Sequence, residues 1–228
     1  MTVVSRGRNV GNLAVVTRET TLGDGIPDVE IKISQGIINA DLTIGADVKT
    51  AKSLRSNERL SSPGLKLHGA GFIVTPGKAN ELGLQKNPDL ENYIRPYLNG
   101  RDLTQKSRNL MVIDLFGLSE NEVRSRFPAV YQHVLLHVKP ERDQNSILDY
   151  RQRWWQFAVP RQGLRAALDG LDRYIVTVET SKHRIFTFLP KTVAPDNKLI
   201  VIAADDAYIL GVLSSSIHLV WALERFPS

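Results

Sequence analysis

The sequence contains no cysteine, which excludes disulfides and thiolate metal sites and implies no oxidising compartment. No apolar run approaches membrane-spanning length, and the opening MTVVSRGRNVGNL lacks the apolar core of a signal peptide. These absences set the expectation of a cytoplasmic chain with no membrane partner. Familiar catalytic strings are missing too. There is no Gly-x-Ser-x-Gly elbow, and Asn87-Pro88-Asp89 lacks the second proline and the aromatic of a loop that grips a flipped base. Gly69-Ala70-Gly71 precedes a strand, whereas a nucleotide loop follows one and opens a helix; it reads as a flexible strand entry. His133 and His137 have the i, i+4 spacing of a zinc helix without the intervening acid, which reads as the outer edge of a surface helix. Glu141 and Asp143 flank Arg142 in a charged break, where ordinary salt links are expected. No catalytic, metal or cofactor site is expected from the residues alone.

What the sequence does have is positive charge, unevenly placed. The net charge is +5 and the pI about 9.5, which favours an anionic partner, nucleic acid before membrane. Between Tyr150 and Phe188 seven bases face only three acids, and Trp154, Trp155, Tyr174 and Phe186 are interleaved with them. Such a stretch suits a surface that follows phosphates. It equally suits a solvated helix whose arginine stems cover a small core. From Tyr174 to Glu179 β-branched and polar residues alternate, predicting a strand with Val176 and Val178 inward. Thr177, Glu179, Ser181 and His183 would then share the open face, a row of donors and acceptors able to meet base edges. The plainer reading of that row is the wet side of a half-exposed sheet.

With 228 residues the chain is expected to form one large domain, or one domain plus a fragment of another. Residues 10–17 and 29–33 read as strands joined by a turn at 23–27, a pair unable to bury a core alone. Asp47 is expected to cap a short helix over 48–54. The Ser-, Asn- and Gly-rich run from Arg55 to Gly69 marks the main boundary. Beyond it the pattern predicts a strand at 71–75, helix at 77–82 with Pro76 in its first turn, helix or turn at 90–98, and strand at 110–115. Ser119 and Glu122 form a capping box, and Pro128 restarts the helix through 138. A helix over 147–157, another over 161–168 and strands at 174–179, 184–189 and 199–203 follow. The last element is one long apolar helix over 206–223.

Eight strings in order carry a resemblance over nearly the whole chain. They are INADLTIGADVKTAKSL, LHGAGFIVTP, IRPYLNGRDLT, MVIDLFGLSENE, VKPERDQN, YRQRWWQF, RYIVTVETSKHRIF and DDAYILGVLSSSIHLVWAL. Together they resemble the C-terminal half of the MmeI-like DNA methyltransferases, single-chain restriction–modification enzymes of type IIG/IIL. The resemblance implies a mixed α/β fold, with a small mixed sheet and flanking helices forming a target recognition domain. It also implies domains at 1–40 (closing strands of a Rossmann-like methyltransferase domain), 41–60 (linker) and 61–228 (recognition domain). The catalytic loop lies upstream of anything present, and the ending differs, so the chain reads as a fragment. The parent enzyme would use S-adenosylmethionine to methylate the amino group of adenine, with no cofactor bound by this fragment.

By the same resemblance, Thr177, Glu179, Ser181 and His183 are candidate base readers, with Asn145 and Ser146 as weaker ones. Arg151, Arg153, Arg161, Arg165, Lys182 and Arg184 are candidate phosphate holders, since phosphate contacts position a module without specifying sequence. The expected partners are double-stranded DNA and an upstream methyltransferase catalytic domain. A metal-dependent DNA endonuclease and a basic protein-interaction domain are the competing readings.

Overall fold

The computed structural model describes residues 9–21, 27–39, 42–44, 52, 54–181 and 183–225. The turn expected at 23–27 and the helix expected at 48–54 fall largely outside these residues, as does Lys182. The chain divides after residue 53 into an N-terminal unit and a larger unit of residues 54–223. The fold is mixed α/β.

The N-terminal unit is an antiparallel ribbon of β1 (Val10–Thr21) and β2 (Pro27–Ile37), longer than the sequence pattern indicates. The register shifts between Val16 and Arg18, a bulge that tightens the local twist. Val15, Val16, Ile31 and Ile33 are exposed on it, as expected for two strands with no core of their own.

In the larger unit the elements run β3 (Ser61–Pro63), β4 (Ile73–Val74), α1 (Pro76–Glu81), β5 (Ile94–Leu98), α2 (Gly100–Thr104) and β6 (Leu110–Ile113). Then come α3 (Glu120–Arg126), α4 (Pro128–His137), α5 (Lys139–Asp143), α6 (Leu148–Gln152), α7 (Gln162–Ala167), β7 (Arg173–Val178), β8 (Thr187–Pro190), β9 (Ala194–Pro195), β10 (Leu199–Ile202), α8 (Ala207–Leu213) and α9 (Ser216–Arg225). They build two four-stranded sheets, ordered β4-β6-β5-β9 and β3-β10-β7-β8. The first is antiparallel except where β9 lies parallel to β5. The second is antiparallel throughout.

The first sheet carries the main core, in which Phe72, Ile94, Val112, Val123, Val130, Val134 and Trp154 pack together. The α3 start is the expected capping box: Glu122 N donates to Ser119 Oγ, and Ser119 N donates to Glu122 Oε2 at 2.7 Å. Gly71 shows why glycine is needed there. A methyl group on it would lie 2.4 Å from the His137 carbonyl oxygen, so Gly69-Ala70-Gly71 is a tight crossing beneath the end of α4 and neither a flexible entry nor a cofactor cradle. His133 is half-buried and its Nε2 lies 3.0 Å from the Gly71 carbonyl, so this histidine pair belongs to the same crossing.

The second sheet corrects the reading of β7. It lies between β10 and β8, and both its faces are covered. Tyr174 and Val176 pack with Leu164, Leu168 and Val201, while Ile175 packs with Ile202 and with Phe186, Phe188 and Ile209. Thr177 is therefore buried, not open, and its hydroxyl has no hydrogen-bond partner among the described residues. Three further differences have local causes. Residues 94–98 form a strand because Ile94 and Tyr97 pair with β6 and fill the core. The charged break at 139–143 is helix α5, whose Arg142 is fully buried, donating from Nη2 to the carbonyls of Leu67 (2.9 Å) and Gln156 (2.8 Å). The long last helix is two helices, broken at Ser214 and Ser215.

Candidate nucleic-acid interface

Where the two sheets meet, the loops after β5 and β7 and the turn between β9 and β10 enclose a polar cleft of about 350 Å³. A larger groove of about 630 Å³ on α8 and α9 is lined by Tyr208, Val212, Ile217 and Trp221 and is apolar, so it does not suit a polyanion. One wall of the polar cleft is the start of α2. Asn99 Oδ1 accepts from the backbone of Arg101 (2.9 Å) and Asp102 (3.3 Å), and Asp102 Oδ2 accepts from Asn99 N at 2.9 Å, a reciprocal cap. Gly100 lets this wall close on β7, because a methyl group there would lie 2.9 Å from Val178 Cγ1. The capped turn leaves Arg101 exposed at the cleft.

Asp102 also anchors the return chain. Arg108 donates to it from Nε (3.0 Å), Nη2 (2.7 Å) and the backbone (2.9 Å). These bonds hold the Asp102 carboxyl down at about 2. An aspartate ordinarily titrates near 3.9. Because the folded value is the lower one, the stabilisation is complete above the ordinary range and is lost as pH falls through about 2. Thermal melts between pH 2 and 6 are expected to show Arg108→Met losing stability relative to the parent chain above pH 4, with the gap closing toward pH 2.

The second wall is the turn 196–198. Tyr97 donates its hydroxyl to Asp196 Oδ2, Lys198 N donates to Asp196 Oδ1 at 2.9 Å, and Asp196 N donates to Leu98 O at 2.9 Å. Burial and the neighbouring Asp196 raise the Tyr97 hydroxyl far above its usual range, so it stays protonated and donates. The third wall is the end of β7 and the residues after it. Glu179 N donates to Lys198 O (2.9 Å), and Lys198 Nζ donates to Glu179 Oε2 (2.8 Å), a bond that raises the lysine's proton affinity. A half-buried acceptor, Glu179, and an exposed donor, Lys198, thus stand side by side at the edge of the cleft, with Thr180 beyond them.

Of the expected readers, Glu179 and Ser181 line or border this cleft and His183 is exposed just beyond it. Ser181 is less free than its sequence position suggests, since its hydroxyl donates to His183 O at 2.7 Å and closes the turn. Thr177 is removed from the set by burial. Asn145 and Ser146 lie elsewhere, at the turn between α5 and α6. Asn145 Oδ1 accepts from Ile147 N (2.9 Å) and its Nδ2 donates to His68 Nε2 (2.7 Å), so both ends are engaged, while Ser146 is exposed. Among the described residues no hydrogen bond or ion pair joins the two groups.

The five described arginines expected to hold phosphate all have protein acceptors. Arg165 donates to Pro160 O (2.7 Å) and to the buried Asp114 carboxylate (2.9 Å), and it stacks on Phe116. Arg161 Nε reaches Gly64 O at 3.1 Å, Arg151 reaches Asn145 O, and Arg184 reaches Glu179 O at 3.1 Å. Arg153 pairs with Asp149 one helical turn earlier. An arginine stem near a core finds carbonyls for its donors, and composition cannot show that. Arg165 is tied within the fold by the Asp114 carboxylate and the Pro160 carbonyl. The cations the sequence reading missed at the cleft are Arg101 and Lys198. The signal for Arg101 was the Asn99-x-x-Asp102 cap, which fixes the outward direction of the residues between.

A family model of the MmeI target recognition domain matches residues 48–224. The chain belongs to this family. Comparison with curated proteins finds no match. A solved structure of the type IIL restriction-modification enzyme MmeI in complex with DNA is similar in fold, with a TM-score of 0.60 and 20% identity over 83% of this chain. The present MmeI-type domain spans 25% of the length of that chain. Among its described residues no group of three or more His, Asp or Glu side chains is placed to hold a metal ion, and no helix is long and apolar enough to cross a membrane.

Proposed function

We propose that this target recognition domain reads a specific sequence of double-stranded DNA for a restriction–modification enzyme. The single observation that carries the reading is the cleft lined by Arg101, Thr180 and Lys198, at whose edge Glu179 accepts from Lys198 at 2.8 Å. A carboxylate accepts from the cytosine amino group, and lysine donates to guanine O6 or N7. Arg101 and Lys198 supply the positive charge that draws a duplex to this edge, and Thr180 adds a hydroxyl of either role. The methyl transfer itself, to an adenine amino group from S-adenosylmethionine, belongs in this reading to a catalytic domain outside the described residues. The exposed apolar ribbon of β1 and β2 suits closing strands that lie against such a domain.

The test is retention of the chain on a randomised duplex pool, with a salt series and sequencing of what is kept. A motif of several base pairs is expected. Glu179→Gln is expected to change the preferred base at one position by about 1–3 kcal/mol, leaving other positions alone. Arg101→Ala is expected to weaken all sequences alike and to lower the salt slope by about one unit. Equal weakening of every sequence by Glu179→Gln would remove that residue from the reading set. Retention of any polyanion with equal affinity would leave only the protein-interaction reading.

A further inference from the structure

A run just before the first core strand, read from sequence only as part of a boundary, is built as a rigid edge. From Gly64 to Leu67 the chain runs alongside two neighbouring segments, and backbone bonds hold it at each residue. Leu65 N donates to Pro195 O (2.8 Å), Lys66 and Val159 exchange backbone bonds (3.3 and 3.2 Å), and Leu67 O accepts from Ala158 N (3.2 Å) and Arg142 Nη2 (2.9 Å). Gly64 O accepts from Arg161 Nε at 3.1 Å. Leu65 and Leu67 are buried, so by the two-residue alternation Lys66 and His68 both face outward, and both are exposed. His68 has a positive φ of 52° and is held by Asn145 Nδ2 and by the Tyr150 ring, whose centre is 5.3 Å away. The Lys66 ammonium has no hydrogen bond or ion pair among the described residues.

This edge is continuous with the reading cleft. Leu65 bridges to Asp196, the residue that fixes the turn carrying Lys198. Lys66 follows it directly, one Cα step of about 3.8 Å away. Lys66 and His68 are separated by about 6.8 Å of strand, close to the through-space distance between neighbouring phosphates on one strand. A free ammonium and an imidazole held by Asn145 at that spacing, on a backbone tied to Pro195 and Val159, suit successive phosphates of one strand.

Resting on the proposed DNA reading, we infer that the Lys66–His68 edge is a phosphate-backbone contact that continues the cleft and fixes the register of the bound duplex. Phosphate contacts orient a protein on DNA without reading sequence, and a rigid one transmits that orientation to readers attached to it. In this arrangement Asn145 is a positioning residue: it holds the imidazole and reads no base.

The experiment compares the parent chain with Lys66→Ala, Lys66→Arg and Arg101→Ala on the duplex recovered from the random pool. Affinity is measured from 50 to 200 mM salt, and phosphates are mapped by ethylation interference. Lys66→Ala is expected to weaken all duplexes alike and to reduce the affinity ratio across that salt range by about threefold, one phosphate's share. One interference position is expected to vanish, the enriched motif is expected to stay, and Lys66→Arg is expected to keep the parent slope. An unchanged slope in Lys66→Ala, while Arg101→Ala still lowers it, would overturn the edge and leave the cleft reading standing. An altered motif in Lys66→Ala would also overturn it, by making Lys66 a base reader. A parent chain that retains no duplex at low salt would overturn both readings together.

Discussion

Asp114→Ala is expected to cost about 3–5 kcal/mol of folding stability, the scale on which removing one partner strands buried charge. Asp114 is buried and accepts from two arginines, Arg165 at 2.9 Å and Arg95 at 3.5 Å. Arg95 also donates to the carbonyls of Lys191 (2.7 Å), Thr192 (3.0 Å) and Val193 (3.3 Å). Burial pulls its proton affinity down, and the Asp114 charge is what opposes that pull. Without the carboxylate, two guanidinium groups face each other at the seam between β5, the β8–β9 turn and α7. Urea unfolding at constant slope checks the magnitude. Asp114→Asn keeps the shape and removes the charge, so it is expected to fall between parent and alanine. A midpoint for Asp114→Ala that matches the parent would show that the two arginines are satisfied by carbonyls alone.

Gly64→Ala is expected to damage both stability and recognition. The added methyl would sit 2.3 Å from Asp196 O and 2.5 Å from Pro195 O, both backbone atoms that cannot swing aside. Gly64 N also donates to Leu199 O at 2.9 Å, so the chain cannot retreat without losing that bond. At this point β3 leaves one sheet as Leu65 approaches the other, and the 195–198 turn makes the same passage beside it. Forcing them apart is expected to cost about 1–3 kcal/mol, the range for overpacking a filled interior. It also displaces Lys198 from Glu179. Selection from the random duplex pool is therefore expected to return a weaker motif, or none, from a chain that still unfolds cooperatively. An unchanged motif would show that the cleft tolerates a shift of its turn.

Much of this fold was legible from local chemistry. The Ser119 capping box, the proline at the start of α1, and the apolar runs of β6 and β10 are each settled by residues within one turn or strand. What escaped were features decided by distant partners. Residues 94–98 look ambiguous until β6 lies beside them, and 139–143 look solvated until Arg142 meets Leu67 and Gln156. The alternation at 174–179 correctly located a strand. It could not show that α8 and Phe186 cover the face where Thr177 lies. At the site, Glu179 was legible as an acceptor near basic residues. Lys198 and Arg101 were not, because only a turn and a cap from other parts of the chain bring them to it.

The three walls of the cleft come from segments around 99–105, 178–181 and 196–198, which are far apart in sequence. A chimera that exchanges one contiguous stretch with a relative would transplant a single wall onto two foreign ones. The junctions that respect this architecture fall behind Tyr97, Thr177 and Asp196, whose side chains are turned into the body of the protein or tied there. On the proposed reading, retargeting the domain is a matter of three short coordinated exchanges, with the shared scaffold between them left as it is.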